Sequence, residues 1–144
     1  MKHKGALMEY SKERADDLMR AYNEYIASCK YILMEDVCKH VVNMPTKRFW
    51  VSGIRASLVI SKMMRGEANL NKMCATKRDM FEEIFRRVIK LKETHPNKSI
   101  SELCAIVVAQ PAPKFYLTPG SARIYICKAR YEWTRRKQQR LFRL

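Results

Sequence analysis

The apolar positions of this chain keep a helical rhythm that is interrupted at the same places twice. Ala15, Leu18, Met19, Tyr22, Tyr25, Ile26 and Cys29 recur at spacings of three and four, and Met80, Phe81, Ile84, Phe85, Val88 and Leu91 do so again. Such spacing lines up side chains on one face of an α-helix. It predicts a long helix A in each half, capped by Ser11 in the first and starting from Thr76 in the second. Met34, Val37, Cys38, Val41 and Val42 form a shorter stripe, matched by Ile100, Leu103, Cys104, Val107 and Val108. In the second half His95-Pro96-Asn97 breaks helix A, and Ser99 or Ser101 caps the shorter helix after it. The valine pairs also suit the start of a strand, but polar and charged residues recur beside them at helical spacing, so this is helix B. Pro45 and Pro111 end it. A basic, aromatic connector comes next, Lys47-Arg48-Phe49-Trp50-Val51 in one half and Lys114-Phe115-Tyr116-Leu117 in the other. Ser52 and Thr118 are then N-caps for a helix C, with Pro119 at its first position. Its predicted buried stripe is Ala56, Ile60 and Met63 in one copy and Ala122, Ile126, Ala129 and Trp133 in the other, with Leu58 and Ile124 beside it.

The two rhythms are one sequence written twice. Residues 37–65 align without a gap on residues 103–131, and eight of the 29 pairs are identical: Cys38/Cys104, Val41/Val107, Val42/Val108, Pro45/Pro111, Phe49/Phe115, Ala56/Ala122, Ile60/Ile126 and Lys62/Lys128. Ordinary composition would supply about two by chance. Upstream, Arg20 aligns with Arg86, and the acidic pair Asp16-Asp17 with Glu82-Glu83. The expected fold is all-α, a tandem repeat of two trihelical helix-turn-helix-like units with a long basic C-terminal helix. Its expected divisions are an N-terminal tail (1–10), unit 1 (11–66), a linker (67–76), unit 2 (77–133) and a basic extension (134–144).

Charge turns this scaffold toward a partner. The 144 residues carry 29 Lys+Arg against 14 Asp+Glu, a formal charge of +15, which points to a polyanion. The end is richest: Lys128, Arg130, Arg135, Arg136, Lys137, Arg140 and Arg143 stand against Glu132 alone. A trihelical helix-turn-helix unit lays its third helix in the major groove. The expected nucleic-acid contacts are therefore Ser52, Arg55, Ser57, Lys62 and Arg65 on the first helix C, and Thr118, Ser121, Arg123, Lys128 and Arg130 on the second. Lys47, Arg48 and Lys114 of the connectors and Arg135, Arg136, Lys137, Arg140 and Arg143 of the tail would add phosphate contacts. Arginines near the front of such a helix suit guanine edges. Because Arg55 and Arg123 do not align, the two helices would read different bases.

Other chemistries find little support. The five cysteines are an odd number without a C-x-x-C pair, and no signal peptide is visible, so a reduced, cytoplasmic protein is expected, with Cys38 and Cys104 as small buried hydrophobes. His3, His40 and His95 are scattered, and no apolar run reaches the roughly 18 residues of a membrane span. The acidic pairs sit near helix starts, where the macrodipole explains them. No nucleotide-binding glycine loop, H-E-x-x-H or nucleophile elbow is present. The expectation is no enzyme, no cofactor, metal or small-molecule substrate, and no membrane.

The phrase P-x-x-[RK]-F-[WY]-[VL]-[ST]-x-x-x-A, at Pro45 to Ala56 and again at Pro111 to Ala122, resembles one in small basic proteins encoded by bacteriophages and mobile elements of gut bacteria. The resemblance implies a phage or mobile-element setting. In architecture the tandem is similar to Myb-like and homeodomain-like repeats, while lacking the regular tryptophans of the former and the recognition-helix asparagine of the latter. The expected function is a sequence-preferring duplex-DNA-binding protein, a small transcription regulator or DNA-organising protein. One rival is an RNA- or single-strand-binding protein with the connector aromatics as stacking platforms. Another is a basic virion, structural or scaffold protein.

Overall fold

A computed structural model describes residues 4–67 and 70–142, with side chains from Tyr10 onward. Those residues form six α-helices: α1 (Lys4–Ile26), α2 (Met34–Val41), α3 (Gly53–Met64), α4 (Ala75–Thr94), α5 (Ile100–Val108) and α6 (Pro119–Phe142), with a 3-10 turn at Leu70–Lys72. Among them the only β-pairing is an isolated antiparallel bridge between Thr46 and Ala112. Helices A, B and C of the two repeats are thus α1, α2, α3 and α4, α5, α6. The valine pairs belong to helix ends and not to strands. Ser11 lies inside α1, because residues 4–10 include the good helix formers Ala6, Leu7, Met8 and Glu9, and they carry the helix back past the expected cap.

The other expected caps are in place. Ser52 Oγ accepts from the Arg55 backbone N–H at 3.1 Å, Thr118 Oγ1 from that of Ser121 at 3.1 Å, and Ser99 Oγ from that of Glu102 at 3.3 Å. Where helix C stops is decided by one residue. Gly66 adopts φ 71°, its N–H bonding the Met63 carbonyl and the Glu67 N–H that of Lys62, the paired bonds of a Schellman close. The aligned residue in the second copy is Glu132, which favours helix, and α6 runs on for 24 residues where α3 has 12.

The chain folds into two compact units, and each takes its third helix from the other repeat. One unit consists of α1, α2 and α6, and the other comprises residues 45–116, with α3 packed on α4 and α5. The sequential divisions 11–66 and 77–133 are therefore crossed by the packing. The first connector leaves its own helix B and joins the unit that holds α4, α5 and the second connector. Thr46 and Ala112 exchange both backbone hydrogen bonds, at 2.9 and 3.2 Å, and the Phe49 N–H bonds the Val108 carbonyl of the other repeat's helix B at 3.0 Å. Buried backbone groups need partners, and Thr46 and Phe49 of the first connector find theirs on the second repeat.

Within the α1, α2, α6 unit, Leu18, Ala21, Tyr22, Val37, Cys38, Val41, Ala122 and Ile126 are buried. Asp17, also buried, is paired with Arg20 at 2.8 Å. The 45–116 unit has its core in Phe49, Ala56, Val59, Ile60, Phe81, Ile84, Val88, Leu103, Cys104, Val107 and Tyr116. There Glu83 pairs with both Arg86 at 2.6 Å and Arg87 at 3.0 Å, so the aligned acid–arginine spacing of Asp17 and Arg20 is kept in the second helix A.

Candidate nucleic-acid interface

Helix α3 buries Ala56, Val59 and Ile60, and this leaves Ile54, Leu58, Lys62 and Arg65, spaced four, four and three apart, along the opposite face, with Arg55 at its flank. Helix α6 repeats the layout: Ala122 and Ile126 are buried, while Ile124, Lys128, Tyr131 and Arg135 run along the outer face. Leu58 is 56% exposed and Ile124 67%, so neither lies at the edge of the buried stripe as the apolar pattern suggested. Trp133, expected in that stripe, is 65% exposed because it falls in the part of α6 where every described residue from Glu132 onward is exposed.

The expected contact residues divide by what their polar atoms already do. Ser57 donates its hydroxyl to the Ile54 carbonyl at 2.9 Å, and Thr118 donates to Ser121 Oγ at 3.0 Å, so these hydroxyls serve the first turns of their helices. Ser52 is engaged as a cap. The Arg48 guanidinium donates to the carbonyls of Phe49 and Val51 at 3.1 and 3.0 Å and lies 5.7 Å from the Trp50 ring, bracing its own connector. Lys114 sits over Tyr116 at 5.3 Å and 3.9 Å from Asp79. Arg65 pairs with Glu67 at 3.2 Å, both exposed, a contact of little energetic weight. Arg130 lies 5.8 Å from the Tyr22 ring, and Lys137 5.1 Å from that of Trp133. Arg55, Lys62, Arg123, Lys128, Arg135, Arg136 and Arg140 form no ion pair among the described residues, and Lys47 is exposed on its connector. Arg143 lies outside the described residues.

The fold thus brings Lys47, Arg48, Arg55, Lys62, Arg65 and Lys114 into the 45–116 unit, and gathers the α6 set in the other. Helix α3 carries no carboxylate at all, and α6 none before Glu132. Three of the four connector aromatics, Phe49, Phe115 and Tyr116, are buried, and the Phe49 and Tyr116 rings stack at 6.0 Å, while Trp50 is half-buried. Burial, helped by the charge of Glu83, pushes the Tyr116 hydroxyl up to about 12. Burial likewise lifts the Cys104 thiol to about 11, in keeping with a small hydrophobe.

Sequence reasoning missed Arg87. It donates to the Pro111 carbonyl at 3.0 Å and to Gln110 Oε1 at 3.3 Å, and stands 4.9 Å from the Phe49 ring, fastening the second connector to α4. Its aligned partner is Ala21, so the repeat held no signal for it. No helix among the described residues is long and apolar enough to cross a membrane. Comparison with protein-family profiles, with curated proteins and with solved structures finds no match to this chain.

Proposed function

We propose that this chain binds duplex DNA, with α3 and α6 as the groove-entering helices of two helix-turn-helix-like units, and that it acts as a small regulator or DNA-organising protein of a phage or mobile element. One observation carries the reading. Each third helix turns outward a face with cations in no ion pair and, over its first three turns, no carboxylate, in a chain of net charge +15. Arginine near the front of such a helix suits base edges, and lysine and arginine farther along suit phosphates. The basic end of α6 adds backbone affinity to this arrangement. A single-strand reader that stacks bases is less well supported, because Phe115 and Tyr116 are buried and Trp50 is half-buried.

Selection from a random duplex library at physiological salt tests the proposal. The expected result is an enriched motif with two unlike half-sites, bound with a salt dependence equivalent to roughly six to ten phosphate contacts. Preference for single strands or structured RNA over duplex in direct competition would overturn it.

A further inference from the structure

Six of the eight identical repeat pairs are buried in both copies, where packing explains them. Of the other two, Pro45/Pro111 ends helix B, which leaves Lys62/Lys128 as an identity that the fold does not account for. Both lysines are exposed, and neither ammonium has an ion pair or hydrogen bond among the described residues. One turn earlier on the same face, each helix exposes a branched aliphatic side chain at the same register, Leu58 and Ile124. A single exposed leucine is ordinary. An exposed aliphatic–lysine pair at one register of two copies that differ in most other outward residues is a retained surface.

We infer that Leu58 and Ile124 read thymine methyl groups in the major groove and that Lys62 and Lys128 hold the flanking phosphate backbone, an inference that rests on the duplex-binding proposal. The C5-methyl of thymine is the one apolar group in the major-groove pattern, and an aliphatic side chain on a groove-bound helix is its natural partner. A lysine one helical turn on supplies a point charge without base preference. An arginine accompanies each aliphatic residue, Arg55 three positions before Leu58 and Arg123 next to Ile124. The cationic surroundings oppose self-association, which would set like charges together, and favour an anionic partner that also offers apolar contact.

The test uses the full chain and two versions of one random-sequence duplex pool, amplified with dTTP or with dUTP, which differ only in the thymine methyl. Wild-type protein is expected to prefer the dTTP pool by about fourfold for each methyl it contacts. Leu58→Ser with Ile124→Ser should bind both pools alike, while Lys62→Gln with Lys128→Gln should weaken both equally and flatten the salt dependence. Wild-type binding that is tight yet indifferent to the methyl overturns the inference and leaves the duplex proposal standing, whereas no binding to either pool overturns both. An oligomer that falls apart when Leu58 and Ile124 are replaced would make the surface a self-contact and overturns it too. The wild-type comparison needs no variant to fold.

Discussion

Cys104 and Tyr116 tie the 45–116 core to pH. Burial raises the thiol from 9.0 to about 11 and the phenol from 10.0 to about 12. In the unfolded chain both groups lose their protons at the lower values, so between those limits the unfolded state binds fewer protons than the folded one. Stability then falls as pH rises. Urea midpoints should hold steady up to about pH 9 and decline above it, and Tyr116→Phe with Cys104→Ala should remove most of that slope. A decline of undiminished slope in the double variant would place its origin elsewhere. Tyr116 also holds φ 55°, a left-handed conformation that is unfavourable for a residue with a Cβ, and its ring stacked on Phe49 helps to maintain it. Nothing in the sequence signals that backbone state. Its aligned partner is Trp50, and aromatic residues have no preference for the left-handed region.

Among the elements, those fixed by local chemistry were legible. Helices A, B and C follow from spacing, and Ser52, Ser99 and Thr118 cap where hydroxyl and backbone geometry predict. Which faces outward residues occupy was less so, because Leu58 and Ile124 look like core by composition and only the packing of α3 and α6 turns them to solvent. The caps separate folding from recognition in a measurable way. Ser52→Ala should cost about 1 kcal/mol of stability, since the Arg55 N–H loses its acceptor. Arg55→Ala, on an exposed side chain, should leave the unfolding free energy within about 0.5 kcal/mol while weakening duplex binding. Chemical denaturation and binding titration of both variants check the division, and an Arg55→Ala protein with unaltered affinity would remove that side chain from the interface.

At the scale of the whole molecule, the repeat gave no sign of which helices share a compact unit. The partner of helix C depends on connector hydrogen bonds between residues 66 positions apart, Thr46 with Ala112, and no pattern within a single repeat encodes that choice. The consequence is open to direct measurement. Separately produced fragments ending at residue 67 and starting at residue 70 should copurify as a one-to-one complex, because each compact unit draws helices from both. Fragments that fold apart and never associate would show that each repeat can close on its own third helix. The exchange also changes what divergence is permitted. The inner face of α3 must suit α4 and α5, and that of α6 must suit α1 and α2. Ala56/Ala122 and Ile60/Ile126 thus answer to helices of the other repeat, and a substitution at any of them is felt across the repeat boundary, while the outward arginines, Arg55 and Arg123, are exposed.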